Sequence, residues 1–404
     1  MTEQTPQARA EDVARAAYGK LLAMLASRSG DIMAAEDALS DAFVAALSTW
    51  PARGVPDNPE AWLLAVAKNR RIDRARKDQR LVITDEVPEM EPHVTFQDSP
   101  ALDDRLKLLF VCAHPAIDTS VHTPLMLQTV LGLDAKDIAQ AFLVPSAAMA
   151  QRLVRAKRKI KAARIPFVVP DEDQFPTRMA AVLEAVYGAY AIDWMEGQGD
   201  LSHEAMFLST VLIDLAPDNA EALGLHALIS LIEARREARV ADGVLVPVPE
   251  QDVALWDEAL IDRANTALQT AATLKQMGRF QIEAAIQSVH AARAKTGKTD
   301  WRALSQLYAG LMHLAPTIGA AVSRASVVAC DAGPAQGLAM LDRIDFAGLD
   351  QYQPAFAVRA HCLAELGQLA DAADAYEKAI ALCTDIPSRR WLEVKLKTLR
   401  GRLH

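Results

Sequence analysis

The sequence predicts an all-α protein, and three observations carry that expectation. Of its 404 residues, 51% are hydrophobic and only 5% aromatic, so the apolar share is mostly Ala and Leu, a composition that favours helix over sheet. Apolar residues recur at spacings of three and four, as in Met149, Leu153, Ala156 and Ile160, which is the period of a half-buried helix. From Phe175 to the end the pattern resolves into eight to eleven amphipathic segments, with no run alternating as a strand does. A chain of this length is expected to form two or three domains.

Residues 11–80 read as three or four helices. Within them, Ala35-Glu-Asp37-Ala-Leu-Ser-Asp41-Ala-Phe43 makes an acidic, partly apolar helical surface, which on its own suits a solvated face. The last helix starts at Pro59 with Asn58 before it, a helix-start signal. Trp62, Leu63, Val66 and Ile72 give it an apolar side. Lys68, Arg70, Arg71, Arg74, Arg76, Lys77 and Arg80 crowd its far end, opposed only by Asp73 and Asp78.

Residues 81–100 carry five acids, no base, and Pro88, Pro92 and Pro100, so an extended acidic linker is expected. Residues 101–170 turn basic again, with ten Lys and Arg against five acids. A short helix entered at Asp134 is expected to face Ile138 and Phe142 inward. A turn at Val144 to Ser146 then leads into a second helix, giving a helix-turn-helix. From residue 149 to 164 that helix holds seven cations and no carboxylate, within a chain of net charge -9. Arg152, Arg155 and Lys159 lie opposite the apolar face, so one side packs while the other meets an anion such as DNA phosphate.

Residues 171–404 carry 21 bases against 31 acids. Leu215-Ala-Pro217 and Leu314-Ala-Pro316 each close one helix and open another. Ala364-Glu-Leu-Gly367 through Ala372, Tyr376 and Ala379 places small residues where a tetratricopeptide-type hairpin packs closely, so stacked helix pairs are expected. Tyr187, Tyr190 and Trp194 read as core or as the lining of a groove, and Val240 to Glu250 as an irregular insertion.

Several ordered motifs together resemble a known family. Asp37-x-x-x-Asp41-x-Phe43, then Pro59-x-x-Trp62-Leu and Asn69-x-x-x-Asp73-x-x-Arg76, resemble region two of extracytoplasmic-function sigma factors of bacterial RNA polymerase. Asp137-Ile-Ala-x-x-Phe-x-Val-Pro145 followed by Arg152-Leu-Val-Arg155-Ala-Lys resembles their region four. Gly54 to Leu64, Leu109 to Pro115 and Ala141 to Phe167 are similar to the branch with a long tetratricopeptide-like carboxy-terminal extension. The resemblance implies a sigma region-two helical bundle over 11–80, the linker over 81–100, a region-four helix-turn-helix domain over 101–170, and a helical solenoid over 171–404.

The resemblance also implies roles. Asp37, Asp41 and Phe43 would dock on core RNA polymerase. Trp62, Lys68, Asn69, Arg70, Arg71, Arg74 and Arg76 would bind and help open the minus-ten element of promoter DNA. Ser146, Gln151, Arg152, Arg155 and Lys159 would read the minus-thirty-five element. Ser146-Ala-Ala-Met149 departs from the commoner Gly-Thr-Val after the proline, so base-edge readout falls to Gln151, Arg152 and Arg155. The extension would regulate activity and is open to a peptide, protein or small ligand. A scaffold of tetratricopeptide type with a degenerate DNA-binding domain is the alternative.

No nucleotide-binding, nucleophile-elbow or zincin motif occurs, so the expectation is a binding protein without a cofactor rather than an enzyme. Four scattered cysteines without CxxC spacing suit reduced thiols, and Cys112-Ala-His114 lacks the second ligand pair a structural metal needs. No stretch approaches a membrane span and Met1 to Asp12 lacks an apolar signal core, so a cytoplasmic protein is expected.

Overall fold

In the computed structural model, which describes residues 6–79, 103–142, 144–196 and 200–403, the chain is all-α apart from one two-residue hairpin. The acidic linker expected over 81–100 lies outside the described residues. The chain divides into two compact units between Val211 and Leu212.

The first unit opens with α1 (Pro6–Ser29), α2 (Ile32–Arg53) and α3 (Pro59–Gln79), three mutually packed helices. Their starts follow the local chemistry. Asp31 accepts from Ala34 N at 3.1 Å and Asn58 accepts from Ala61 N at 3.0 Å, each satisfying an amide the first turn leaves open. Leu21, Leu22, Leu25, Leu39, Leu63, Leu64 and Trp50 are fully buried between them. The buried stripe of α3 is thus Leu63, Leu64 and Ala67, while Trp62 and Val66 sit half-buried at its edge.

Next come α4 (Asp104–Cys112), α5 (Thr119–Thr129), α6 (Ala135–Ala141), α7 (Ser146–Ala162), α8 (Phe175–Glu196) and α9 (Asp200–Leu215). Within this unit α4 packs on α1, and α8 covers α4 and α5, with the Phe110 and Phe175 rings 5.5 Å apart. Arg105 is buried on α4 and fixes α9. Its guanidinium reaches Asp103 and Glu204 at 2.6 Å each and lies 4.4 Å over the Phe207 ring. Gly19 lets α1 close on the end of α5, because a Cβ there would stand 1.8 Å from Val130 O. The charge boundary near residue 171 therefore does not coincide with the division in packing, which falls some forty residues later.

The second unit contains α10 (Ala220–Glu233), β1 (Val240–Ala241), β2 (Val244–Leu245), α11 (Glu258–Thr273), α12 (Arg279–Ala291) and the short α13 (Arg293–Thr296). It continues through α14 (Trp301–Leu314), α15 (Ile318–Asp331), α16 (Pro334–Leu341), α17 (Gln353–Glu365), α18 (Leu369–Leu382) and α19 (Ile386–Leu403). α10 packs on α11 and α12, α12 on α14, and from there each helix packs on the next as far as α19. α17 and α18 are the hairpin anticipated around Gly367, whose φ of 77° makes the turn, with Ala372, Tyr376 and Ala379 buried.

Two expectations need correction here. Twelve α-helices among the described residues lie from Phe175 onward, α13 a single turn, beyond the eight to eleven expected. The insertion at Val240 is not irregular: β1 and β2 pair antiparallel, Val240 with Leu245 and Ala241 with Val244. Asp242 and Gly243, at φ 52° and 74°, form its two-residue turn. The last helix returns to this hairpin, where Arg390 Nη1 donates to Gly243 O at 3.3 Å and Lys395 lies 3.6 Å from Glu250.

Candidate nucleic-acid interface

α7 is built as its sequence requires. Met149, Leu153, Ala156 and Ile160 are all buried, which fixes the helix and leaves the opposite side to solvent. On that side Gln151, Arg155, Arg158 and Lys159 are exposed, and Arg152 is half-buried at its margin. Val154, 36% exposed, joins Ala150, Gln151, Arg155 and Arg158 around a shallow groove of about 410 Å³. Ser146 is exposed at the start of the helix. The guanidinium groups of Arg155 and Arg158 beside a small apolar floor can contact phosphates and base edges together.

Arg158 and Val154 belong to this face, and they stand at i+7 and i+3 from Gln151, a spacing the sequence already displays. Phe142 requires a correction: it follows the last turn of α6 and is 39% exposed, while Ile138 packs inward together with Ala139. Lys157 is withdrawn from the phosphate-facing cations. It is 6% exposed and its ammonium pairs with Glu36 of α2. Lys161 reaches Asp31, the residue that caps α2, at 2.6 Å. Burial alone would raise the Asp31 carboxyl, but the Lys161 hydrogen bond and the Ala34 amide outweigh it and hold the group below the usual carboxylate range.

On α2, Asp37 is exposed and Asp41 and Phe43 are half-buried. Val44 and Leu47, one and two turns on from Ser40, are 67% and 45% exposed, so the acidic helix also shows an apolar strip. On α3, Trp62 meets Trp50 edge-on, ring centroids 5.6 Å apart, while Lys68 is half-buried and Asn69 and Arg70 are exposed. Arg71, Arg74 and Arg76 lie on the last turns of α3, and their side chains fall outside the described residues. Among the described residues no helix is long and apolar enough to cross a membrane.

Comparison with known proteins matches this architecture at its amino end. Residues 11–81 match Sigma-70 region 2, the span of α1 to α3, and residues 178–272 match a family of unknown function (DUF6596). No solved structure matches the chain. Over 380 residues it is 35% identical to the uncharacterized protein R00370 of Rhizobium meliloti, covering 90% of each chain. The chain thus belongs to one family with that Rhizobium protein, and its Sigma-70 region 2 domain supports a sigma factor of the sigma-70 family, with a role in transcription initiation.

Proposed function

We propose that the chain is a sigma factor of the extracytoplasmic-function type that directs core RNA polymerase to a restricted set of promoters. α2 would dock on core through Asp37, Asp41 and Phe43, and the exposed Val44 and Leu47 suit burial against a protein partner. α3 would grip and help open the minus-ten element through Trp62, Lys68, Asn69 and Arg70, with Arg71, Arg74 and Arg76 continuing the same helix. α6 and α7 would act as the helix-turn-helix of region four, with Gln151, Arg152, Arg155 and Lys159 reading the minus-thirty-five element and Ser146 at the entry of the helix.

The observation that carries this reading is the solvent-open cationic face of α7 in a chain that also contains Sigma-70 region 2. The second unit would act as a regulator of tetratricopeptide type, in the cytoplasm. The experiment is transcript mapping with core polymerase supplemented by the purified chain. Initiation at a defined promoter set supports the reading, and core that gains no promoter preference refutes it. A chain ending after Leu215 tests regulation: higher promoter-directed activity means the second unit restrains, lower activity means it assists.

A further inference from the structure

The exposed side of α7 has an order that its charge alone conceals. At about 100° per residue, the midline opposite the buried stripe of Met149, Leu153, Ala156 and Ile160 passes between Gln151 and Arg158. Val154 and Arg155 stand about 50° to either side of that midline. Arg152 and Lys159 lie roughly a right angle away from it, on one flank. The opposite flank carries Lys157 and Lys161, which are engaged by Glu36 and Asp31.

A helix seated in the major groove turns its midline to base edges and its flanks to the phosphate walls. Gln151, Arg155 and Arg158 form no side-chain hydrogen bond or ion pair among the described residues, so their polar ends are available. Arg152 faces elsewhere: the Asp118 carboxyl at the start of α5, held below its usual range chiefly by Ser120, also feels its charge. Val154 is the residue out of place by ordinary packing. It is β-branched, apolar and 36% exposed, turned away from the core that Met149, Leu153 and Ile160 fill. With Ala150 it floors the groove of about 410 Å³ that Gln151, Arg155 and Arg158 rim.

The major groove of DNA displays one apolar group, the C5-methyl of thymine, and an apolar floor among guanidinium groups suits it. Gln151 to Arg158 spans about 10 Å of helix, or about three base-pair steps, with Val154 near the middle. We propose that Val154 is a specificity-determining residue of α7, packing on the methyl group of a thymine in the bound duplex. Gln151 and Arg158 meet base edges within about two steps of that thymine, and Arg152 and Lys159 hold phosphate. The inference rests on the region-four reading of α6 and α7 and names the base that this face selects.

The test starts from a promoter obtained by the transcript mapping above. If mapping yields none, the sigma reading itself fails, and this inference with it. On the mapped duplex, uracil replaces thymine one position at a time on both strands of the minus-thirty-five region, which removes one methyl and leaves base pairing intact. Equilibrium binding is measured for core polymerase carrying the full chain or its Val154→Ala variant. Because Val154 is exposed and alanine favours helix, the variant is expected to fold, as a thermal melt checks. Uracil at one position should weaken the parent about fourfold, the worth of one buried methyl group. Val154→Ala should lose the same factor on the natural duplex and nothing further on the uracil one. Arg152→Ala should weaken every duplex by one factor and keep the uracil effect. With a mapped promoter in hand, three results overturn the proposal: no thymine in the region, uracil effects that are equal in parent and Val154→Ala, or a uracil effect abolished by Arg152→Ala instead.

Discussion

Lys157 of α7 is buried against Glu36 of α2, so the helix with the open cationic face is anchored to the Sigma-70 region 2 helices through its own flank. Lys161 and Asp31 extend the contact one turn further. Breaking one partner of a buried pair leaves the other uncompensated. Glu36→Gln is therefore expected to lower stability of the first unit by about 3 kcal/mol, whereas Glu36→Leu with Lys157→Met should be near neutral. Urea melts of the parent, the single variant and the double variant check this. Equal losses for the single and double changes would mean the pair is not buried in solution.

Arg155→Ala and Arg158→Ala should separate DNA binding from folding, because both side chains are exposed. Each is expected to leave stability within about 0.5 kcal/mol of the parent. Promoter binding by the polymerase complex should weaken by about 1–3 kcal/mol where a base-edge contact is lost. A residue that only holds phosphate should instead weaken all sequences alike and reduce the salt slope by about 1. Anisotropy measured at two salt concentrations distinguishes these outcomes.

Truncation should respect packing rather than charge. A chain ending at residue 174 loses α8 and uncovers the fully buried Phe110 and its neighbours on α4 and α5, so it is expected to aggregate or lose cooperative unfolding. One ending after Leu215 keeps α8 and α9 and should stay monodisperse. Size-exclusion chromatography of both chains decides the matter, and a well-behaved shorter chain would contradict it.

Acid should weaken the first unit through two carboxylates. Asp31 and Asp103 are both held below the usual range: burial opposes the charge at each, but hydrogen bonds from Lys161 and from Arg105 respectively outweigh it. A depressed native pKa means stability that is full above the unfolded value and lost as pH falls through the native one. Glu204 runs the other way, since burial raises it in spite of Arg105, and its protonation offsets part of the loss. Asp31→Asn should flatten the slope of stability against pH below about pH 4. An unchanged slope would assign the acid sensitivity elsewhere.

Local rules made the helices legible. The apolar stripe of α7, the Asn58-Pro59 start of α3 and the Gly367 turn between α17 and α18 each follow from residues within a turn or two of one another. Contacts across the fold were not legible. Lys157 reads as one more cation until α2 is known to cover it, and the close approach at Gly19 depends on Val130, far along the chain. Charge located a change of solvation at residue 171 but not the cover that α8 gives α4 and α5. The hairpin was missed for a different reason: Asp242-Gly243, a pair that accepts the positive φ values such a turn demands, stands in the sequence, but strands of two residues are too short to alternate.

The return of α19 to that hairpin changes how the second unit can come apart. Stacked helical arrays with loose ends fray one member at a time. Here Arg390 is fastened to a turn 147 positions earlier, which laces the tail of the array to its beginning. Such a belt has no outermost repeat to peel away, so a load applied at its carboxy end is felt at once by the turn between β1 and β2.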